Sequence, residues 1–168
     1  MQLLKEQKQA LIRQHTQPKD LKGLFQVVII LAPLAVLWLL VVKSIGVSPW
    51  LTAAVMLTMC LYTLRVFALM HECGHGSLFR SQRLNRAFGF LLGVVAGMPQ
   101  YVWSRNHDYH HTHNGNWEKY RGPYTTMSTG EYAALTDLQQ RLYQVKCSIL
   151  LAPLVGFIYL IFNPRYTW

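Results

Sequence analysis

Six of the seven histidines fall between residues 71 and 113, in two tight groups: His71-Glu-Cys-Gly-His75 and His107-Asp-Tyr-His110-His111-Thr-His113. On a helix turning about 100° per residue, His71 and His75 differ by roughly 40° and stack one turn apart on one face. Relative to His107, His110 and His111 sit at roughly −60° and +40°, so these three share a face too. His113 falls about 120° the other way and is expected to point elsewhere, as a supporting or solvated residue. The spacing nominates His71, His75, His107, His110 and His111 as converging metal ligands. Neutral imidazole suits zinc, copper, iron and nickel, so ligand type alone does not name the metal. Five donors exceed the four positions of tetrahedral zinc, and Cys73 lies off the His71/His75 face. That leaves two metals, or one metal with a site still incomplete.

Other chemistries fit parts of this pattern. His71-Glu72-Cys73-Gly74-His75 satisfies the H-E-x-x-H string of zinc proteases, with Glu72 as the base. A single third ligand, however, would leave two histidines of the second group unused. Bis-imidazole haem binding needs only two of the five. Glu72 and Asp108 are placed either to orient imidazoles through the other ring nitrogen or to serve as ordinary surface carboxylates. His15 lies in the basic head and reads as a surface residue. Cys60 and Cys147 read as packed small residues.

The elements that must position these groups are apolar. The chain is 52% hydrophobic and only 14% charged, against about 25% charged in a soluble domain. This composition excludes intrinsic disorder, and three cysteines in or beside apolar stretches exclude a secreted disulfide scaffold. The run 24–42 carries no charge and is about 28 Å long as a helix, close to the hydrocarbon thickness. A second run, 50–70, is interrupted only by Arg65, which is expected to snorkel toward the headgroups. The turn 43–49 joins them into a hairpin. Residues 87–102 are apolar but hold Gly89, Gly93, Gly97 and Pro99, and read as an interfacial or re-entrant segment. Residues 147–163 read as a third span. The expected fold is all-α and membrane-embedded: a hairpin, a histidine-bearing cap with its re-entrant segment, then one further span, within a single domain over 1–168.

Lysine and arginine set the sidedness. The head, 1–23, carries Lys5, Lys8, Arg13, Lys19 and Lys22, and the polar middle carries eight more, whereas the first loop offers only Lys43. By the positive-inside rule, the N-terminus and both histidine groups are cytoplasmic. The net charge of +9 is then the basic skirt of a membrane protein, not a nucleic-acid footprint. Within the head, Leu3, Leu4, Leu11 and Ile12 among Lys and Gln suit either an amphipathic surface helix over 2–17 or a solvated tail. Segment 24–42 is too long for a signal-peptide core and reads as a retained anchor.

HECGHGSLF at 71–79 and HDYHH at 107–111 resemble the first two histidine boxes of the membrane fatty acid desaturases. Arg83 and Asn85 after the first box, Pro99 and Trp103 before the second, and Asn114 after it agree with that resemblance. It is nearest to the acyl-lipid, ω-6/Δ12-like bacterial branch, where the first box often reads H-[DE]-C-G-H. The resemblance implies a non-haem di-iron enzyme of the bacterial inner membrane. Such an enzyme uses O2 to remove two hydrogens from a membrane acyl chain, with electrons from ferredoxin or cytochrome b5. It makes His71 and His75 first-box ligands and His107, His110 and His111 second-box ligands. The same scaffold also serves hydroxylation and ketolation. The family's third box, downstream of the second, has no counterpart, because no histidine follows His113. The chain is therefore expected to be the N-terminal portion of a desaturase. It would work with a second copy or a separate C-terminal half, or else persist as a non-catalytic metal-binding fragment.

Overall fold

The computed structural model describes Gln7, residues 17–121 and residues 126–158. Apart from Gln7, the head up to residue 16, with His15 and most of the proposed amphipathic stretch, lies outside the described residues. Those described contain helices and no strand. The protein is of the all-α membrane class. The chain divides into two compact units, Met1–Tyr101 and Val102–Trp168.

The first unit opens with α1 (Asp20–Ser44) and α2 (Pro49–Gly74), both long and apolar enough to cross a membrane. At ~1.5 Å per residue each is close to 38 Å long. Helix α1 buries only Gly23, Val27, Leu34 and Ser44, while Phe25, Val28, Val36, Leu39 and Val42 stay exposed. A helix apolar all round, with most of that surface uncovered by protein, requires lipid around it. The hairpin turn starts at Ser44, whose carbonyl accepts the amides of Val47 and Ser48. Pro49 then starts α2, where its missing N–H costs nothing.

Helix α3 (Gln82–Ala96) packs on α2, which also carries α1. Among the described residues the largest fully buried side chains are Val66 and Met70 of α2, Phe79 of the connection, and Asn85 and Leu92 of α3. Ser81 caps α3 by accepting the Leu84 amide, and its own amide donates to Asp20 Oδ1 at 3.1 Å. The start of α1 is thereby tied to the α2–α3 connection.

Residues 87–102, read from sequence as one segment, are divided. Helix α3 ends at Gly97, where Met98 N–H reaches back to the Gly93 carbonyl at 2.8 Å. Helix α4 (Gln100–His113) starts after Pro99, so Trp103 belongs to the helix of the second histidine group.

In the second unit, α5 (Thr129–Ala133) and α6 (Asp137–Lys146) are short, and each starts with a capping box, Ser128/Glu131 and Thr136/Gln139. Of the expected span 147–163, residues 147–151 form turns and 152–158 a short helix; residues 159–163 lie outside those described.

Candidate metal centre

The first histidine group is built by the way α2 ends. The apolar run stops at Met70, but the helix continues to Gly74, with His75 still in helical conformation at its cap. Gly76 then takes φ of +66°, which a β-carbon resists. Its amide donates to the Cys73 carbonyl, and that of Ser77 donates to the Glu72 carbonyl, both at 3.0 Å. These paired bonds are a Schellman closure. It keeps His71 and His75 one turn apart, with ring centroids 4.6 Å apart and edge to face. Glu72 Oε1 lies 3.6 Å from His71 Nδ1, and its other oxygen accepts the Ser77 hydroxyl at 2.5 Å. Cys73 is buried against Gly89 of α3.

The polypeptide after the box is held from two sides. Asn85, 1% exposed, donates from Nδ2 to the Phe79 carbonyl at 2.8 Å and accepts the Phe79 amide on Oδ1 at 3.0 Å. On the other side, Gly23 of α1 lies so close that a β-carbon there would stand 2.6 Å from the Leu78 carbonyl oxygen and 2.8 Å from the Phe79 ring. Sequence reasoning noted Asn85 only as a flanking residue. Its function as a backbone clamp depends on a turn that no local pattern announces.

The second group lies on the last two turns of α4. His107 and His111 bring their Nε2 atoms to 2.9 Å. His110 completes the cluster, with its ring centroid 5.7 Å from that of His107 and 5.4 Å from that of His111. Trp103 stacks on His107 at 4.5 Å, and Tyr120 packs against His110 at 4.7 Å. His113 turns to a different neighbour: it stacks on Tyr109 at 4.1 Å, with Nδ1 3.0 Å from the Tyr109 carbonyl oxygen. Of the six histidines, the structure thus pairs two in the first unit, gathers three in the second, and leaves His113 with Tyr109.

These residues fit a metal on two counts. Two nitrogen ligands at right angles on one first-row ion, each ~2.1 Å from it, are about 3.0 Å apart. The His107–His111 separation matches that spacing. His110 Nδ1 is buried and, among the described residues, has no hydrogen-bond partner. A desolvated polar atom without a partner is costly, and coordination of a cation by that nitrogen would satisfy it. The donor set is neutral imidazole, which suits iron as well as zinc.

Comparison with known proteins agrees with this chemistry. The fatty acid desaturase family model matches residues 48–166. The chain is 33% identical over 132 residues to a fatty acid desaturase of Bacillus subtilis, covering 76% of this chain and 38% of that protein. An endoplasmic-reticulum omega-3 fatty acid desaturase of Nicotiana tabacum is 42% identical over 53 residues, 32% of this chain and 14% of that one. The sn-1 acyl-lipid omega-3 desaturase (ferredoxin) of Synechocystis is 37% identical over 51 residues, 30% and 14% of the two chains. The chain thus spans about two fifths of the Bacillus subtilis protein's length and a smaller share of the other two. No solved structure matches it. With a family model covering most of its length and both histidine groups, the chain belongs to the fatty acid desaturase family.

Proposed function

We propose that the chain carries the histidine-ligated di-iron site of an O2-dependent desaturase acting on membrane acyl chains. The single observation that carries this reading is the gathering of imidazoles into two groups, each at the end of its own helix. His71, His75, His107, His110 and His111 would hold the metal, which would supply O2-dependent oxidation of an unactivated C–H bond. The residues around them do the rest. Trp103 and Tyr120 fix the rings of His107 and His110, Glu72 stands beside His71 Nδ1, and the Schellman turn sets the separation of His71 and His75.

The relatives named above are desaturases, which favours loss of two hydrogens over hydroxylation or ketolation. The name of the Synechocystis relative supports ferredoxin as electron donor, with cytochrome b5 as the alternative. The H-E-C-G-H form of the first group supports an acyl-lipid, ω-6/Δ12-like outcome, whereas two relatives carry omega-3 in their names. Product analysis separates the two. The basic segments support a cytoplasmic position for N-terminus and histidines in a bacterial inner membrane.

Elemental analysis of the detergent-purified chain tests the proposal. About two irons per chain is the expected result. Stoichiometric zinc with no iron would overturn it in favour of the protease pattern. A chain with no metal would mean that the five histidines do not suffice, and the ligand set would be wrong as stated.

A further inference from the structure

Arg65 sits nine residues before the end of α2 and five before the apolar run stops at Met70, about 8 Å inward from that point along the axis. A cation at that depth is costly unless something pairs with it. Among the described residues no carboxylate does so. Instead Arg65 lines a cleft of about 770 Å³ between the start of α1 and the end of α2, together with Lys19, Lys22 and Gln26. Neither lysine has an ion-pair partner among the described residues either. The one carboxylate lining the cleft, Glu72, is engaged by the Ser77 hydroxyl and lies beside His71. Ile30 and Phe67 add an apolar wall.

The geometry points to a binding site for one anionic phospholipid in this cleft. The guanidinium offers a planar two-pronged donor that matches a phosphate diester. Lys19 and Lys22 add point charges where the helix pair meets the headgroup region, and Gln26 offers a neutral donor. Ile30 and Phe67 receive the first part of an acyl chain. Free phosphate would use the cations and leave the apolar wall wet. A zwitterionic lipid would bring its own ammonium against three cations. An anionic lipid satisfies both halves of the lining, and basic pockets between membrane helices are suited to such headgroups. His71 also lines the cleft, so a lipid bound there lies beside the proposed metal site; its retention is read without metal or turnover, which keeps a failure of this site distinguishable from a failure of the desaturase reading.

Native mass spectrometry of the full chain in neutral detergent, titrated with phosphatidylglycerol or phosphatidylcholine, tests this. One phosphatidylglycerol should be retained about tenfold more tightly than phosphatidylcholine. Arg65→Gln should abolish that preference, and Lys22→Gln, at an exposed position, should reduce it about threefold. Arg80→Gln, outside the cleft, should leave it unchanged. Equal retention of the two lipids, no effect of Lys22→Gln, or an equal loss with Arg80→Gln would overturn the site in favour of a diffuse basic skirt. Displacement of the lipid by millimolar inorganic phosphate would overturn the lipid assignment in favour of a phosphate-only site.

Discussion

Asn85 holds Phe79 by both of its main-chain groups, donating to the carbonyl at 2.8 Å and accepting the amide at 3.0 Å. The pair is fully buried, so the two bonds form where no water can replace them. A single side chain thus fixes the polypeptide that leaves the first histidine group.

Asn85→Ala should therefore leave two buried main-chain groups unsatisfied, at a cost of roughly 2–4 kcal/mol. Thermal unfolding in detergent, followed by circular dichroism, reads this directly. A melting temperature unchanged from wild type would contradict the clamp.

Gly76→Ala tests the helix end. The left-handed backbone costs an alanine roughly 1–2 kcal/mol, and its β-carbon would stand 2.8 Å from the Gln82 amide. Stability should fall by about that amount, with a larger fall in metal occupancy, because His75 is the residue before the turn. Gln82→Ala should relieve the contact and leave the backbone term, which a double-mutant comparison of melting temperatures separates.

The histidines are expected to divide unequally. His71→Ala and His110→Ala should abolish metal binding, whereas His113→Ala should retain most of it, since His113 is engaged with Tyr109. Metal per chain for the three variants, prepared in parallel, gives the answer. Equal losses from all three would remove the helix-face argument.

Glu131 gives the second unit an acid limit. The Ser128 amide, then the Arg121 guanidinium and the Ser128 hydroxyl, pull its carboxyl from an ordinary 4.5 down to about 2. A depressed carboxylate stabilises the fold above its unfolded value, and that contribution is lost as pH falls from about 4.5 toward 2. Arg121 also lies over the Trp117 ring at 5.1 Å, so tryptophan emission should change across this window in wild type. Glu131→Gln should flatten the change; a transition that persists in this variant would assign it to another group.

The hairpin was legible because uninterrupted apolar runs have few alternatives. Its ends were not. Asp20 and Lys22 precede the apolar run yet are helical, and the polar His71 to Gly74 prolong α2, because Gly76 rather than the loss of hydrophobicity stops it. The association within each histidine group is local, so the 3.6-residue period carried it. The break between α3 and α4 was hidden among Gly89, Gly93, Gly97 and Pro99, any of which could have held it. Arg65 was read as reaching for headgroups. Its nearness to Lys22 and Gln26 depends on the register of two antiparallel helices, which composition does not encode.

The position of the imidazoles along their helices has an electrostatic consequence. His71 and His75 occupy the last turn of α2, and His110 and His111 that of α4. The peptide dipoles of a helix add to roughly half a negative charge at that end. These histidines therefore sit in a field that favours a cation, supplied by the main chain with no nearby carboxylate required. A change that unwound either last turn would weaken metal affinity even with every histidine in place.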